Sequence, residues 1–407
     1  MLLATALQCA VAVSYAGAAQ VAPADLTKTS ADSVSSGVPQ RDVFDILKQL
    51  LNRDIEPEVS LSPPIGLQWA LLPTVSYNPV YGVALGGSLN GAGRRGLLSE
   101  RYSSVAISGS FSTTGQIQLL LRSDAFSPGG GYLLKTDVRY LDTERSTWGL
   151  GPTSAAQEEY PMQFKLVRVY GTVYRRMSGP VFVGAGYHFD QFSNIIDTRA
   201  ENGEVTPFSS YSNGTPSVTT AAGISLDILA DTRDNLVNAT KGFSSGLSLR
   251  DYYEQMGSDA HWQELWVESR VYTHLPASSR HVLAFWFYGW MTFGPAPYLN
   301  LPTNGWDTYG RGARGYLAGR IRGTDQMYVE SEYRRVLTSD GLLGAVGFVN
   351  LTLTTEPETG TFGTTDVAGG VGLRIKFNKR SNMNLTIDYG VGSEGQRGLF
   401  LGMTEVF

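Results

Sequence analysis

The sequence predicts an all-β fold: a transmembrane antiparallel β-barrel of about 16 strands, with its sixth outer loop folded inward. Three observations carry this expectation. The composition combines few charges with many aromatic and glycine residues. The strand-like runs alternate with their apolar residues on the face opposite the charged one. The connections between runs are short and long by turns.

Of the 407 residues, 17% are charged, below the usual quarter, while 21 Tyr, 17 Phe, 7 Trp and 47 Gly are many. That balance suits a β-protein with one face in lipid. A net charge of −5 leaves no basic footprint for nucleic acid. The single cysteine, Cys9, lies near the start, so the body of the chain holds neither a disulfide framework nor a Cys-based zinc site. No cofactor or metal is expected.

The elements follow in order. Leu2 to Ala16 is apolar and Ala16-Gly17-Ala18 offers a small-residue cleavage site, so residues 1–19 read as a secretory signal peptide. Beyond it no apolar stretch reaches the ~18 residues of a helical span. A secreted chain that enters a membrane without such helices does so as a closed barrel, because open sheet edges cannot face hydrocarbon. The expected location is therefore the outer membrane of a Gram-negative bacterium. Residues 20–65 read as a disordered tether carrying one short amphipathic helix. The helix is expected within Arg41 to Ile55, with Phe44, Ile46, Leu47, Leu50, Leu51 and Ile55 along its stripe. It either lies on the membrane or packs on the mouth of the barrel. Pro57, Pro63 and Pro64 then break the chain.

Residues 66–407 are expected to form the barrel. The strand-like runs lie at 66–77, 80–90, 101–113, 115–124, 131–142, 162–177, 180–192, 217–231, 241–254, 260–275, 281–293, 325–337, 342–353, 367–378, 383–392 and 397–407. In one of them Glu264, Trp266, Glu268, Arg270, Tyr272 and His274 share a face, and Leu265, Val267, Ser269, Val271 and Thr273 share the other. In another, Val367, Val371, Leu373, Ile375 and Phe377 oppose Arg374, Lys376 and Asn378. Apolar residues outside and charges inside describe a wet lumen surrounded by lipid. The connections at 178–180, 276–280, 338–341 and 379–382 are short; those at 143–161, 193–216, 294–324 and 354–366 are long. An even strand count puts both ends of the barrel on the short-turn, periplasmic rim.

The connection 294–324 holds Gly310-Arg311-Gly312-Ala313-Arg314-Gly315-Tyr316. Its glycines permit sharp turns and close approach to a wall. Arg314 carries a planar fork of donors that needs acceptors once water is excluded. Acceptors follow in Tyr328-Val329-Glu330-Ser331-Glu332-Tyr333-Arg334, where Glu330, Glu332 and Arg334 share the inner face. The loop is expected to fold into the lumen, pinned by Arg314; the competing reading is a solvated surface loop.

Gly312-Ala313-Arg314-Gly315-Tyr316 resembles the sixth-loop motif of the BamA/TamA-type outer-membrane assembly barrels, the bacterial surface antigen superfamily, which includes two-partner-secretion transporters. Further stretches agree in order. Asp231-Thr232-Arg233-Asp234-Asn235 through Lys241-Gly242-Phe243 resembles the mid-barrel periplasmic turn. Glu332-Tyr333-Arg334, Gly347-Phe348-Val349-Asn350, Gly372-Leu373-Arg374, Asp388-Tyr389-Gly390 and Glu405-Val406-Phe407 resemble the later strands. The resemblance spans about residue 66 to 407 and implies a loop pin made by Arg314, Gly315 and Tyr316. It pairs Arg314 with Glu332, and with Asn350 where a second acid is usual. Asn350 would accept a hydrogen bond without charge, a weaker tie. Asp231, Arg233 and Asp234 are more simply read as satisfying their own turn, and Asp388 as a lumen salt bridge. Leu399, Leu401, Met403 and Phe407 on one face of the last run resemble the end signal read when barrels are inserted.

The resemblance implies insertion or translocation of outer-membrane proteins through a lateral seam between the first and last strands, by a member lacking periplasmic N-terminal domains. Outer-membrane lipid, client proteins and a separate periplasmic protein are the expected partners. The alternative is a passive or gated pore, or a structural surface barrel. A hydrolase is not expected: His188, His261, His274 and His281 fall in no nucleophile motif.

Overall fold

The computed structural model describes residues 39–51, 66–78, 82–94, 101–152, 154, 158–213, 217–275, 280–307, 310–357, 359–379 and 382–407. The expected signal peptide, nearly all of the tether before the helix, and Pro57, Pro63 and Pro64 lie outside the described residues. The described strands are β1 (Gly66–Asn78), β2 (Gly82–Arg94), β3 (Tyr102–Ser112), β4 (Ile117–Phe126), β5 (Tyr132–Thr147), β6 (Tyr160–Ser178), β7 (Val181–Asp197) and β8 (Thr219–Asp231). They continue with β9 (Gly242–Tyr252), β10 (Trp262–His274), β11 (His281–Phe293), β12 (Asp325–Val336), β13 (Leu343–Thr355), β14 (Phe362–Asn378), β15 (Met383–Gly392) and β16 (Arg397–Met403). They form one 16-stranded sheet in which sequence neighbours are sheet neighbours. Every pair is antiparallel. Among the described residues no ladder joins β1 to β16.

The alternation has the sense read from the sequence. Along β10, Glu264, Trp266, Arg270 and Tyr272 are buried in the interior, while Leu265, Val267 and Val271 are partly exposed. Leu226 on β8 and Val371 on β14 are 67% and 66% exposed. A soluble sheet buries its apolar face, so this inversion belongs to a wall in lipid. Leu226→Arg is therefore expected to destabilise the lipid-inserted barrel by about 2–4 kcal/mol, the cost of an arginine on the lipid face near mid-depth. Urea titration of folding into lipid vesicles measures it.

Several boundaries differ from expectation, each for a local reason. β5 and β6 run higher than expected, with Thr143 to Thr147 paired against Phe164 to Tyr160. That extension gives the long sixth loop a surface: Thr147 Oγ1 and Tyr298 Oη lie 2.8 Å apart. The strict alternation of short and long connections holds around the long loop 294–324 and fails in several other places: β8 and β9 are joined by 10 residues but β9 and β10 by 9, and β12 to β13 and β13 to β14 by 6 each. Early in the chain 3 residues separate β1 from β2 and 4 separate β3 from β4, against 7 between β2 and β3.

The last strand is the clearest correction. Expected to run to Phe407, it stops at Met403. Thr404 takes φ +71, the left-handed region, and turns the chain into the interior. Leu399 and Leu401 remain exposed on the outer face, but Phe407 is buried. Phe407 packs on Trp286 at 5.4 Å and on Tyr272 at 6.3 Å. The alternation that set Phe407 beside Leu399, Leu401 and Met403 assumed continuous extension, and one left-handed residue ends it.

The expected helix is α1 (Val43–Leu50); Ile55 of its expected stripe lies outside the described residues. Asp42 and Asp45 form a reciprocal capping box at its start. It sits on the short-turn rim: Arg41 N donates to Asp340 O at 3.0 Å, and Lys379 Nζ bonds Asp45 at 2.7 Å. Burial alone would raise the Asp45 carboxyl, but the hydrogen bonds from Lys379 and from the backbone of Asp42 outweigh it and hold the carboxyl below its usual range. Phe377, expected to face outward, is buried because Phe44 covers it edge-on at 5.1 Å.

Candidate functional site

The loop 294–324 leaves β11 through Gly294, and among its described residues 296–304 and 312–316 are buried in the interior. Its upper part crosses to the opposite wall. Tyr298 Oη bonds Thr147 Oγ1 at 2.8 Å, and Asn300 Nδ2 donates to Asp190 at 3.1 Å. Its lower part is a tight reversal set by Asp307, whose carboxylate accepts from Gly312 N at 2.8 Å and Arg311 N at 3.0 Å. Gly310, Ala313 and Gly315 have φ +65, +61 and +114. For Ala313, which carries a Cβ, this region costs roughly 1–2 kcal/mol. The reversal aims three side chains at three depths. Tyr316 Oη donates to Val367 O at 2.7 Å near the outer rim. Arg314 lies midway. Arg311 reaches furthest and donates to Met403 O at 2.9 Å and to Glu405 O.

Arg314 is fully buried and its guanidinium touches three carboxylates. It bonds Asp388 Oδ2 of β15 at 2.6 Å, Glu332 Oε2 of β12 at 2.5 Å, and Glu330 Oε1 of β12. Its Cζ stands 3.8 Å from the centre of the Phe348 ring. The wall beneath is bare. A Cβ on Gly390 would lie 2.8 Å from Gly315 N, and one on Gly392 would lie 2.7 Å from the Tyr316 ring. Two glycines of β15 thus make the flat seat on which residues 314–316 rest.

The sequence matches no protein-family model and no curated protein. Among solved structures, 76 chains resemble the fold. The barrel of BamA from Haemophilus ducreyi lacking POTRA domains 1-3 aligns with 83% of this chain and 70% of its own, at 15% identity and TM-score 0.50. CdiB from Escherichia coli aligns over 83% of this chain and 60% of its own, at 10% identity and TM-score 0.52. This chain has the BamA-type barrel fold.

In this BamA-type barrel, Asn350 plays a part different from the one its position implied. Its Nδ2 donates to the backbone O of Arg314 at 2.9 Å; it accepts nothing from the guanidinium. The charge expected there comes instead from Asp388 and Glu330. Asp388 is indeed in a lumen salt bridge, with Arg374 at 2.5 Å, but the same carboxylate also holds Arg314. Arg374 and Arg334 extend the network: Arg374 bonds Glu405 at 2.6 Å, Arg334 bonds Glu332 at 2.6 Å, and Arg334 Nη2 donates to Phe407 O at 2.9 Å. Each charge in this network therefore has an opposite partner, the condition under which buried charges are tolerated.

The turn 232–241, expected on the periplasmic side, is locally satisfied. Asp231 accepts from Arg233 N at 3.0 Å and Arg233 Nη2 at 2.7 Å, and Asp234 accepts from Thr240 N at 2.9 Å. The turn also docks to the inturned tail: Glu405 N donates to Val237 O at 3.1 Å, and Arg334 Nη1 to Ala239 O at 3.2 Å. The sequence reading missed Asp388, Glu330, Arg311 and Glu405 as holders of the loop. The inner-face parity of Asp388 and Glu330 was the available signal; for the tail there was none.

Beside the loop the BamA-type barrel keeps a cavity of about 260 Å³, edged by Arg122, Lys135, Asp137, Arg250, Glu268 and Arg270. Behind its lining residues His188 and Asp227, Ser225 Oγ donates to Asp227 at 2.5 Å and lies 2.9 Å from His188 Nε2. The hydroxyl stands between imidazole and carboxylate, whereas a hydrolytic triad sets the imidazole in the middle.

Proposed function

We propose that the chain is an outer-membrane barrel that inserts or translocates proteins through a lateral seam between β1 and β16. The carrying observation is that seam. Among the described residues its two edge strands share no ladder, and β16 is 7 residues against the 13 of β1. Unpaired edges are templates for an added strand. The resemblance of the loop motif to that of assembly and two-partner-secretion barrels, and the likeness in fold to BamA and CdiB, support the same reading. Residues 294–324 would hold the lumen shut while the client's strand enters from the side. Neither step needs a catalytic residue. The clients are unfolded outer-membrane proteins, delivered by a separate periplasmic protein.

Cross-linking tests this. In a Cys9→Ser background, Leu71→Cys is combined with Leu399→Cys, and Trp69→Cys with Leu401→Cys. Each bridged barrel in vesicles should insert an unfolded client barrel at least tenfold more slowly, with reduction restoring the rate. Equal rates with the seam bridged and open rule the seam out. A gated pore is the second reading, favoured by the charged cavity beside the loop.

A further inference from the structure

Helix α1 is oriented the wrong way round for a helix packed in water. Its acidic residues are its buried ones: Asp42 and Asp45 both face the rim, held by the capping box, by Lys379 Nζ on Asp45 at 2.7 Å, and by Lys379 N on Asp42 at 3.1 Å. Apart from Val43 and the part-buried Ile46, its apolar residues point away. Phe44, Leu47, Leu50 and Leu51 are all exposed, Leu50 to 75%. A surface helix of a water-soluble protein turns its apolar stripe inward. Phe44 touches Phe377 along one edge, and Leu47, Leu50 and Leu51 stay exposed.

What faces the stripe can be read from the wall it continues. On β14 the exposed Val371 and Leu373 lead along one face to Phe377, and on β16 Leu399 and Leu401 lead to Met403. Phe377 meets Phe44 at 5.1 Å, and Val43 and Met403 pack against the same small cluster. The helix thus joins the lipid-facing side of β14 to β16 at the short-turn rim. We propose that α1 lies in the periplasmic leaflet, its Phe44, Leu47, Leu50 and Leu51 stripe among the acyl chains and Lys48 at headgroup level. The occupant of this surface is lipid. An interfacial helix has this division: apolar face in the boundary, charges toward water or protein. Anchored there, α1 clamps the turns after β12 and β14 and steadies the β16 side of the barrel.

The test places a fluorophore on the stripe. Cys9→Ser with Leu50→Cys is labelled with an environment-sensitive dye and reconstituted as the full chain in lipid nanodiscs. Correct folding is checked by heat-modifiable migration. Thr359→Cys, on an exposed outer loop, is the aqueous reference. Nitroxide-bearing acyl chains should quench at least half of the Leu50 emission and iodide less than a tenth; the reference should show the reverse. Quenching of the Leu50 site by iodide overturns the proposal, because the stripe is then in water. Protection from both quenchers overturns it too, because the stripe is then covered by protein.

Discussion

Arg314→Ala is expected to free residues 310–316 and to destabilise the barrel by about 3–5 kcal/mol. The substitution removes one cation from contact with Glu330, Glu332 and Asp388, all fully buried. Removing one partner of a buried ion pair costs more than the pair contributes, because the remaining charge stays desolvated and uncompensated. Arg374 and Arg334 still reach Asp388 and Glu332, but among the described bonds Glu330 retains only Tyr328 Oη. Loss of the folded band on heating should shift downward by on the order of 10 °C. Protease should cut in 310–316, where the wild type is shielded. Arg314→Lys should fall between, since an ammonium keeps the charge but not the planar fork that meets two strands at once. Wild-type shielding in the alanine variant would refute the pin.

Gly390→Val should lift the same segment with every charge left in place. A Cβ at this position would stand 2.8 Å from Gly315 N, 2.9 Å from Gly315 Cα and 3.1 Å from Arg314 C. All three are backbone atoms, so no rotamer change relieves the overlap. Overpacking of this kind costs about 1–3 kcal/mol, and here the loop yields more readily than the strand. Gly347→Val is the matched control, because a Cβ there meets nothing within 4 Å. Trypsin should cleave the Gly390 variant after Arg311 or Arg314 and spare the control. The same pair separates the two functional readings. A barrel with its loop lifted that carries no current in a planar bilayer is not a gated pore.

The two kinds of information in the sequence had different reach. Strand number and sidedness are local properties, fixed by a period of two and by turn residues. Hence Leu265 and Val371 could be set outside, and Glu330 and Glu332 inside, from the chain alone. Partnership across the lumen is not local. Asp388 and Arg314 are separated by 74 residues. Their meeting depends on how far the sheet curls and how deep the loop descends, and neither leaves a mark at either residue. Asn350 illustrates the limit: its place beside the loop was legible, but its donor group, not its acceptor, faces Arg314. Phe407 illustrates another. A single left-handed residue, Thr404, reverses the side of everything after it, and threonine gives little warning of that conformation. The rim-facing acids of α1 were likewise hidden, because an amphipathic stripe says which residues stay together and not which medium they meet.

The carboxylates and guanidiniums around the loop also constrain how this chain can change. Arg314 shares Asp388 with Arg374, and Arg374 shares Glu405 with Arg334, which returns to Glu332. Substitutions within such a ring are epistatic: the penalty of a second depends on the first, and single-residue effects do not sum. What the lumen conserves physically is the tally of charge rather than the address of each one. An uncharged Asn350 is compatible with the lock because acids on two other strands complete the count, and a drift at one of these positions becomes harmless only when a neighbour drifts with it.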